Sequence, residues 1–273
     1  MKKYIFLIST LIIVLIMLAS CNTVEFDYDD FEYYTKGQAE IDKKITKIEI
    51  DWIDGNISIK RSSEAKKVSF TENSISKSSE DNSLYYFVQG TTLNIKAGKS
   101  GRLDPSDYNK NLNVILPIDT VLNDIEIETV SSNVTIFDTE VKNIDVNTVS
   151  GNIDIKAYGD IDSVSVENVS GTTKLIANKI GDFEADVVSG NIEIYAYDEL
   201  KGCEISSVSA NVNLYLLSNS RFTLKSSAVS GDLFCDFDGR RVDGNTLVVG
   251  TDARNIYEID TVSGDLNIQR LDD

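Results

Sequence analysis

Carboxylates are the most abundant reactive groups of this 273-residue chain, which has 44 Asp and Glu and no histidine. Lack of histidine excludes the commonest general base, the Ser-His-Asp triad and histidine-ligated metal centres. Carboxylates alone could serve a glycan-active enzyme. However, the acids expected on outward faces, such as Glu126, Asp154 and Glu193, are spread singly, without a recurring Asp-x-Asp or Arg/Lys cluster. We therefore expect no enzyme activity, and a glycan-active β-helix enzyme stays as an alternative.

Calcium is the metal that the composition favours most, because hard oxygen donors are abundant. The segment Asp236-Phe237-Asp238-Gly239 brings two of these donors close together. It lacks the number of ligands found in a recognised calcium loop. We interpret it as an ordinary Asp-rich turn, and we expect no metal and no cofactor.

Cys21 is the residue whose surroundings predict a covalent modification. The basic pair Lys2-Lys3 precedes an apolar run from Ile5 to Met17, which leads into Leu18-Ala19-Ser20-Cys21. This order is typical of a secretory leader, and its end resembles a bacterial lipobox. Residues 1–20 are therefore predicted to be a lipoprotein signal peptide, with Cys21 carrying the lipid. An uncleaved anchor helix is the alternative, and either one holds the exported chain at the outer face of the cell membrane.

The two other cysteines, Cys203 and Cys235, are expected to point inward in adjacent repeats of the pattern described below. An exported chain would permit a disulfide between them. Free cysteine also behaves as a small buried hydrophobe. We predict buried free thiols, and the disulfide stays an alternative.

The charge of the chain restricts its partners. Loss of residues 1–20 changes the formal charge from −18 to −20, with 24 basic and 44 acidic side chains remaining. Such acidity argues against nucleic acid and against direct adsorption to anionic lipid, since both require basic patches. It keeps an exported protein soluble, and it could also attract cationic partners.

Tyrosines supply the candidate ligand-binding residues. Tyr195 and Tyr215 occupy the same outward position one repeat apart, and Tyr158 and Tyr197 lie nearby. A stripe of this kind could hold a glycan or an extended peptide by stacking. Cross-strand packing between neighbouring rings is the alternative.

The elements that must position these side chains are close copies of Val149-Ser150-Gly151-Asn152-Ile153-Asp154-Ile155. Their first residues, here called the anchor valines, are spaced by 19, 20, 19, 20, 21 and 33 residues. A fixed period near twenty residues is the signature of a solenoid. The anchor valines are Val130, Val149, Val169, Val188, Val208, Val229 and Val262.

Apolar residues stand five and three positions before each anchor valine, and four and six positions after it. A further apolar position lies eight before the anchor in several copies. A spacing of two is typical of a strand with one buried face, so each copy predicts two strands joined by a corner. Glycine stands at the corner in five of the seven copies. In the other two copies Ser132 and Ala210 take its place, and each is followed by an asparagine, Asn133 or Asn211. We expect one residue of each corner to take a positive φ, and the anchor valines to be shielded from bulk water.

The fold prediction is an all-β, single-stranded parallel β-helix with about 20 residues per coil, each coil stacking on the next. Residues 21–40 form an acidic, Tyr-rich tether, or alternatively a segment that docks on the first coil. Residues 41–123 form irregular N-terminal coils, the first of which is marked by Trp52–Ile57, and residues 124–273 form the regular repeats. The long step before Val262 predicts an inserted loop, and the final strand would be an edge protected by charge alone.

A family resemblance accompanies this pattern. The lipobox, the W-x-x-G-N-I segment Trp52–Ile57, the strand Leu112–Pro117 and the serial V-S-G-N-I repeats together resemble the bacterial "putative adhesin" β-strand-repeat family, a domain of unknown function. The resemblance covers residues 41–273 and implies a parallel β-helix outside the cell. It transfers no functional residue, because the family has no agreed site.

We therefore expect a non-catalytic, lipid-anchored cell-surface β-solenoid that acts as an adhesin-like interaction or scaffold module of the cell envelope. Its partners would be the membrane, through the anchor, and an envelope glycan, peptide or protein. One alternative is an envelope-stress accessory protein that binds cationic peptides or ions. The glycan-active enzyme is the other.

Overall fold

The computed structural model describes residues 24–74, 82–103, 108–157 and 159–271, which contain strands, one short 3-10 helix at Phe31–Tyr33 and no α-helix. The strands are β1 (Val24–Phe26), β2 (Thr35–Lys36), β3 (Ala39–Ile41), β4 (Lys47–Ser62), β5 (Val68–Ser74), β6 (Tyr85–Gln89), β7 (Thr92–Lys96), β8 (Gly101–Leu103), β9 (Asn109–Pro117), β10 (Val121–Ser150), β11 (Ile153–Ala157), β12 (Ile161–Leu217), β13 (Phe222–Ser230), β14 (Leu233–Cys235), β15 (Gly239–Arg241), β16 (Thr246–Val249), β17 (Asn255–Ser263) and β18 (Leu266–Leu271).

The repeats pair with one another in parallel, and equivalent residues face each other across the strands. Val134 pairs with Ile153, which pairs with Thr173, so the register advances by one repeat at each step. The all-β class is therefore confirmed, and the repeats form one solenoid-like stack. Hydrogen bonds between repeats satisfy the strand edges of each neighbour, which is why no repeat has to be stable alone.

The predicted apolar columns form the core. In the repeats from Ile125 to Leu214, the positions five and three before the anchor and four and six after it are all buried. The position eight before the anchor is also buried, as at Val141 and Leu200. Alternation of side chains along each strand explains this, because every second residue faces inward.

The anchor valines are not core residues, and the expectation that they avoid solvent was wrong. The first five are half-buried, whereas Val262 is exposed and Val229 is 82% exposed. The residue before each of the first five anchors faces inward instead, as Thr129, Thr148 and Asn168 do. Alternation then places the anchor itself on the outer face.

The corners confirm the role of glycine and correct the role of asparagine. Gly151, Gly171, Gly190, Gly231 and Gly264 have φ between +134° and +146°. Asn133 and Asn211 do not take a positive φ, so the prediction was wrong for these two corners. Each asparagine instead bonds to its neighbouring repeat. The Oδ1 of Asn133 accepts the N–H of Asn152 at 3.0 Å, and the Oδ1 of Asn152 accepts that of Thr172 at 2.9 Å.

The order of the repeats departs from chain order at the N-terminal end. Strand β4 pairs with β7 and β9 on one side and with β10 on the other. The repeat containing Trp52–Ile57 is therefore the second of the stack and not the first. The terminal repeat is built from β7 and β9, and it is covered by antiparallel strands, β6 on β7 and β5 on β9.

A second departure occurs at the C-terminal end. Strands β17 and β18 lie between β12 and the pair β13 and β14, so the last repeat in the chain occupies the penultimate position. The final strand is thus paired on both edges, contrary to expectation. The insertion before it forms the hairpin of β15 and β16, and β16 covers the outer edge of β13.

Lys110 fixes the terminal repeat from inside. Its side chain is 1% exposed, and its Nζ donates to Glu72 Oε2 at 2.7 Å and to the Asn82 carbonyl at 2.6 Å. The Nζ also lies 5.0 Å from the centre of the Trp52 ring, whose Nε1 donates to the Lys110 carbonyl. Burial lowers the pKa of Lys110, and the carboxylate of Glu72 opposes that shift. This is a structural ion pair beneath the end of the stack.

Candidate functional site

Two columns of acids run along one outer surface of the stack, which we call the acidic face. The positions four and two before each anchor alternate with buried positions, so both point outward from the same strand. Strand pairing places Glu126 beside Glu49, Glu128 beside Asp51 and Glu204 beside Glu258. Asp145 instead faces Ser165, and Glu167 faces Asn147. Each of the seven repeats from β4 to β17 contributes an acid at one or both positions. The acidic face consists of Glu49, Asp51, Glu126, Glu128, Asp145, Glu167, Glu184, Asp186, Glu204, Glu258 and Asp260.

Three acids of this face have raised pKa values. The pKa of Glu128, of Asp145 and of Glu167 is raised, first by burial and then by neighbouring carboxylates. Asp51 contributes to the shift of Glu128, and Asp186 contributes to that of Glu167. Like charges one strand apart destabilise a sheet, so this arrangement is not explained by folding stability.

Lysines pair with acids toward both ends of the face. Lys47 lies 2.8 Å from Glu49 and 2.7 Å from Glu126, while Lys96 pairs with Asp51. At the other end Lys225 lies 2.6 Å from Glu258.

A cleft closes the C-terminal end of the acidic face. The tip of the insertion folds back over β13 and β17, where the Ser226 N–H donates to the Asn245 carbonyl at 2.9 Å. Asp243 accepts the Asn245 N–H at 2.8 Å, and hydrogen bonds from the backbone and from Thr246 lower its pKa. The cleft encloses about 550 Å³ and is lined by Lys225, Ser226, Ser227, Asp243, Gly244, Asn245, Thr246, Glu258 and Asp260.

The N-terminal end of the face is bordered by residues 24–36. Tyr28 donates through its hydroxyl to the Gly98 carbonyl at 3.0 Å, and its backbone N–H donates to Ser100 Oγ at 3.1 Å. Burial and the nearby charges of Asp51 and Glu49 raise the pKa of Tyr34 to about 12. The acidic face is thus limited at both ends, and the anchor valines form a third outward column beside it.

The predicted tyrosine stripe exists in part. The rings of Tyr195 and Tyr215 stack with centres 4.3 Å apart and an interplanar angle of 9°. The Nζ of Lys174 lies over the Tyr195 ring at 5.1 Å, so both faces of this ring are in contact with protein. Tyr197 is 51% exposed, and Tyr158 lies outside the described residues. A glycan that stacks on a ring face would therefore find Tyr197 more open than Tyr195.

The acids considered as catalytic candidates from the sequence, Glu126, Asp154 and Glu193, do not lie together at one site. Asp154 pairs across the strands with Lys174, whose Nζ lies 3.9 Å from Glu193. The three residues form an alternating ladder of charges on another outward surface, which is common cross-strand pairing. Glu126 belongs instead to the acidic face.

The two cysteines are free thiols, as predicted. Cys203 is buried and Cys235 is half-buried, and burial raises the pKa of each thiol. They are not in adjacent repeats, because β17 and β18 lie between them. Cys21 lies outside the described residues.

One family model matches enough of the chain to establish the family. The family model Toastrack DUF4097 matches residues 45–158 and again 92–269, which together span most of the chain. The chain belongs to the Toastrack DUF4097 family. No curated protein matches it significantly.

Two solved structures resemble this Toastrack chain at low similarity. One is a "putative cell adhesion protein" from Clostridium sporogenes, with 17% identity, a TM-score of 0.38 and coverage of 87% of this chain and 100% of the other. The second is a "putative adhesin" from Bacteroides fragilis, with 12% identity, a TM-score of 0.37 and coverage of 87% and 97%.

Metal-binding clusters and membrane-spanning helices are both absent from the described part of this Toastrack chain. No group of three or more Cys, Asp or Glu side chains is arranged to hold a metal ion there. In the same residues, no helix has the length and apolarity that a membrane crossing requires.

The acidic face was missed at the sequence level, although its signal was present. Glu126, Glu128, Asp145 and Glu167 recur at two fixed distances before the anchors. Counting acids by repeat position, and not along the chain, would have revealed the two columns.

Proposed function

We propose that this chain is a non-catalytic interaction or scaffold module of the cell envelope, and that the acidic face is its binding surface. The acids that recur in seven consecutive repeats, beside half-exposed valines, carry the proposal, because neither feature contributes to the core. Such a surface combines charge, which selects the partner, with apolar area, which contributes affinity.

The test compares binding of the mature chain to isolated bacterial envelopes with that of two triple variants. The first carries Glu126→Gln, Glu128→Gln and Asp145→Asn on the acidic face. We expect binding to weaken about tenfold, because three lost charge contacts of about 0.5 kcal/mol each correspond to that factor.

The matched control carries Asp154→Asn, Asp160→Asn and Asp162→Asn, which remove the same charge from exposed positions elsewhere. It should bind as the unaltered chain does. Equal loss in both variants would show that net charge, and not the acidic face, determines binding.

We also propose that the chain is exported and attached through a lipid on Cys21. The basic pair, the apolar run and the small residues before Cys21 support this attachment. Diacyl attachment gives stable anchoring, whereas a single acyl chain is marginal. Intact mass of the membrane-extracted protein should show a lipid-modified chain that begins at Cys21. Cys21→Ser should abolish both the modification and the retention in membranes.

For the architecture, we propose that each repeat is one coil of a single-stranded parallel β-helix of about 20 residues. Parallel pairing of equivalent residues between repeats supports it. A low-angle solution scattering profile should fit an elongated particle, whereas a compact globular profile would contradict the proposal.

A second candidate function is binding of cationic peptides or ions in the envelope-stress response. The raised pKa values of Glu128, Asp145 and Glu167 favour it, since a bound cation would relieve the repulsion between these carboxylates. Binding of fluorescent polylysine to the mature chain should fall steeply with added salt and should fail in the acidic-face variant. Absence of polylysine binding at low salt, with envelope binding retained, would exclude this second candidate.

A further inference from the structure

The segment that follows Cys21 is fixed to the N-terminal end of the stack almost at once. Strand β1 begins at Val24 and pairs with β8, with Glu25 opposite Arg102 and Phe26 opposite Gly101. Only Asn22 and Thr23 separate Cys21 from this strand. The three Cα–Cα steps from Cys21 to Val24 span at most about 11 Å, so a lipid on Cys21 would hold this end of the stack close to the bilayer.

Aromatic rings cluster where this segment docks. Neighbouring rings lie 4.9 to 5.9 Å apart in this cluster, and Tyr33 at its margin is 58% exposed. Tyrosine at a protein surface is favoured at the boundary between lipid and water, because its ring is apolar and its hydroxyl polar. The cluster consists of Phe26, Tyr28, Phe31, Tyr33, Tyr34, Tyr85 and Phe87.

Charge is distributed unevenly along the stack. Residues 22–110, which include β1 to β8, carry 13 basic and 16 acidic side chains. Residues 111–273 carry 11 basic and 28 acidic side chains. The end that holds the docked segment is nearly balanced, whereas the remainder is strongly acidic. An anionic bilayer would repel the remainder far more than this end.

Exposed charges of both signs surround the aromatic cluster. Asp27, Asp29, Asp30 and Glu32 are exposed in the docked segment, and exposed lysines lie beside it. Lys36 on β2 is exposed, and the exposed Lys99 places its Nζ 5.6 Å from the centre of the Phe31 ring. Lys43 and Lys44, which follow β3, are also exposed. Long basic side chains beside aromatic rings suit the headgroup region, where the ammonium meets phosphate and the stem stays apolar.

We propose that the N-terminal end of the stack is a membrane-contact surface that rests on the phospholipid headgroups and makes the stack project outward. The proposal rests on the lipid attachment at Cys21 and specifies how the attached protein is oriented. A stack lying on its side would place acidic surface against anionic headgroups, which is unfavourable. Nine repeats in the described residues give eight steps of about 4.8 Å, so the far end would stand about 40 Å above this surface.

The first experiment uses the unaltered, lipid-modified protein in vesicles of equal parts phosphatidylglycerol and phosphatidylethanolamine. Lysines are acylated with a water-soluble reagent, and the modification of each is measured by mass spectrometry against the protein in detergent. Lys36 and Lys99 should react about fivefold more slowly in vesicles, the factor that corresponds to the attraction of one lysine to an anionic surface. The equally exposed Lys142 and Lys201 should react at unchanged rates.

A second measurement uses tryptophan quenching by phospholipids brominated in their acyl chains. Tyr33→Trp and Tyr197→Trp place the reporter at two similarly exposed sites, one at the proposed contact surface and one far from it. The native Trp52 is buried and supplies the common background. Tyr33→Trp should be quenched well beyond the unaltered protein, and Tyr197→Trp should not.

The outcomes separate the two proposals. Intact mass first shows whether Cys21 carries lipid, and absence of the lipid overturns the attachment and this inference together. Lipid present with equal protection of all four lysines, or with protection of Lys142 and Lys201, overturns the orientation and leaves the attachment standing. Quenching of both tryptophan variants would likewise show a stack that lies on the bilayer.

Discussion

Replacement of Gly190 by alanine should destabilise the stack at a contact between two repeats. Gly190 has a φ of +142°, and a Cβ at this position would lie 1.9 Å from the carbonyl oxygen of Gly171 in the neighbouring repeat. This φ lies well beyond the left-handed helical region, and holding alanine there costs about 1–3 kcal/mol. Displacing backbone that cannot yield costs about a further 1–3 kcal/mol. We therefore expect Gly190→Ala to lower the free energy of unfolding by about 2–6 kcal/mol.

Two control variants separate these contributions. Gly159 also has a positive φ, +112°, but a Cβ added to it would meet no atom within 4 Å, so Gly159→Ala should cost only the backbone term. Ala210 occupies the same corner position as Gly190 without a positive φ, and Ala210→Gly should cost about 0.5–1 kcal/mol of chain entropy. Urea unfolding followed by circular dichroism would compare the three. Equal losses in Gly190→Ala and Gly159→Ala would refute the close approach between repeats.

Three further outcomes are expected. Lys110→Met should lower the free energy of unfolding by about 3–5 kcal/mol, because Glu72 would keep a charge without its buried partner, and chemical denaturation measures it. Because the pKa of Glu128 is raised in the folded chain, protonation of this side chain stabilises the fold. The stabilisation is fully present below the ordinary pKa of 4.5 and is lost as the pH rises through the pKa of the folded state. Glu128→Gln should therefore raise stability by about 0.2–1 kcal/mol near pH 7 and not in acid, as thermal melts at both pH values would show. Thiol titration should find Cys235 reactive in the native protein and Cys203 only after unfolding, because burial keeps Cys203 from the reagent.

The core could be predicted from sequence because its signal is local. Ile153 and Ile155 lie two apart on one strand, and the same spacing recurs in each copy, so the buried face follows from alternation. The positive φ of Gly151 followed from its place at a corner. By contrast, the anchor Val149 looked like a core residue because it is apolar and constant among the copies, although alternation places it outside.

The order of the repeats could not be predicted, because the copies are nearly interchangeable. Strand β17 carries the same apolar spacing as β13, so either could follow β12 by pattern alone. Which one does so depends on the hairpin of β15 and β16, whose contacts are tertiary. The acidic face is a property of neighbouring strands and not of any one segment, so it also emerges only once the register is known.

The placement of the last repeat bears on synthesis and on truncation. Strand β13 pairs with β16 and β17 and not with β12, so residues 222–235 have no link to the rest of the stack until β17 and β18 are available. During synthesis, this end of the stack therefore forms only after β17 and β18 have been made. A premature stop near residue 255 would remove the repeat of β17 and β18. Because that repeat links β13 and β14 to β12, the repeat of β13 and β14 would also be lost from the stack, and the edge of β12 would be exposed to other chains.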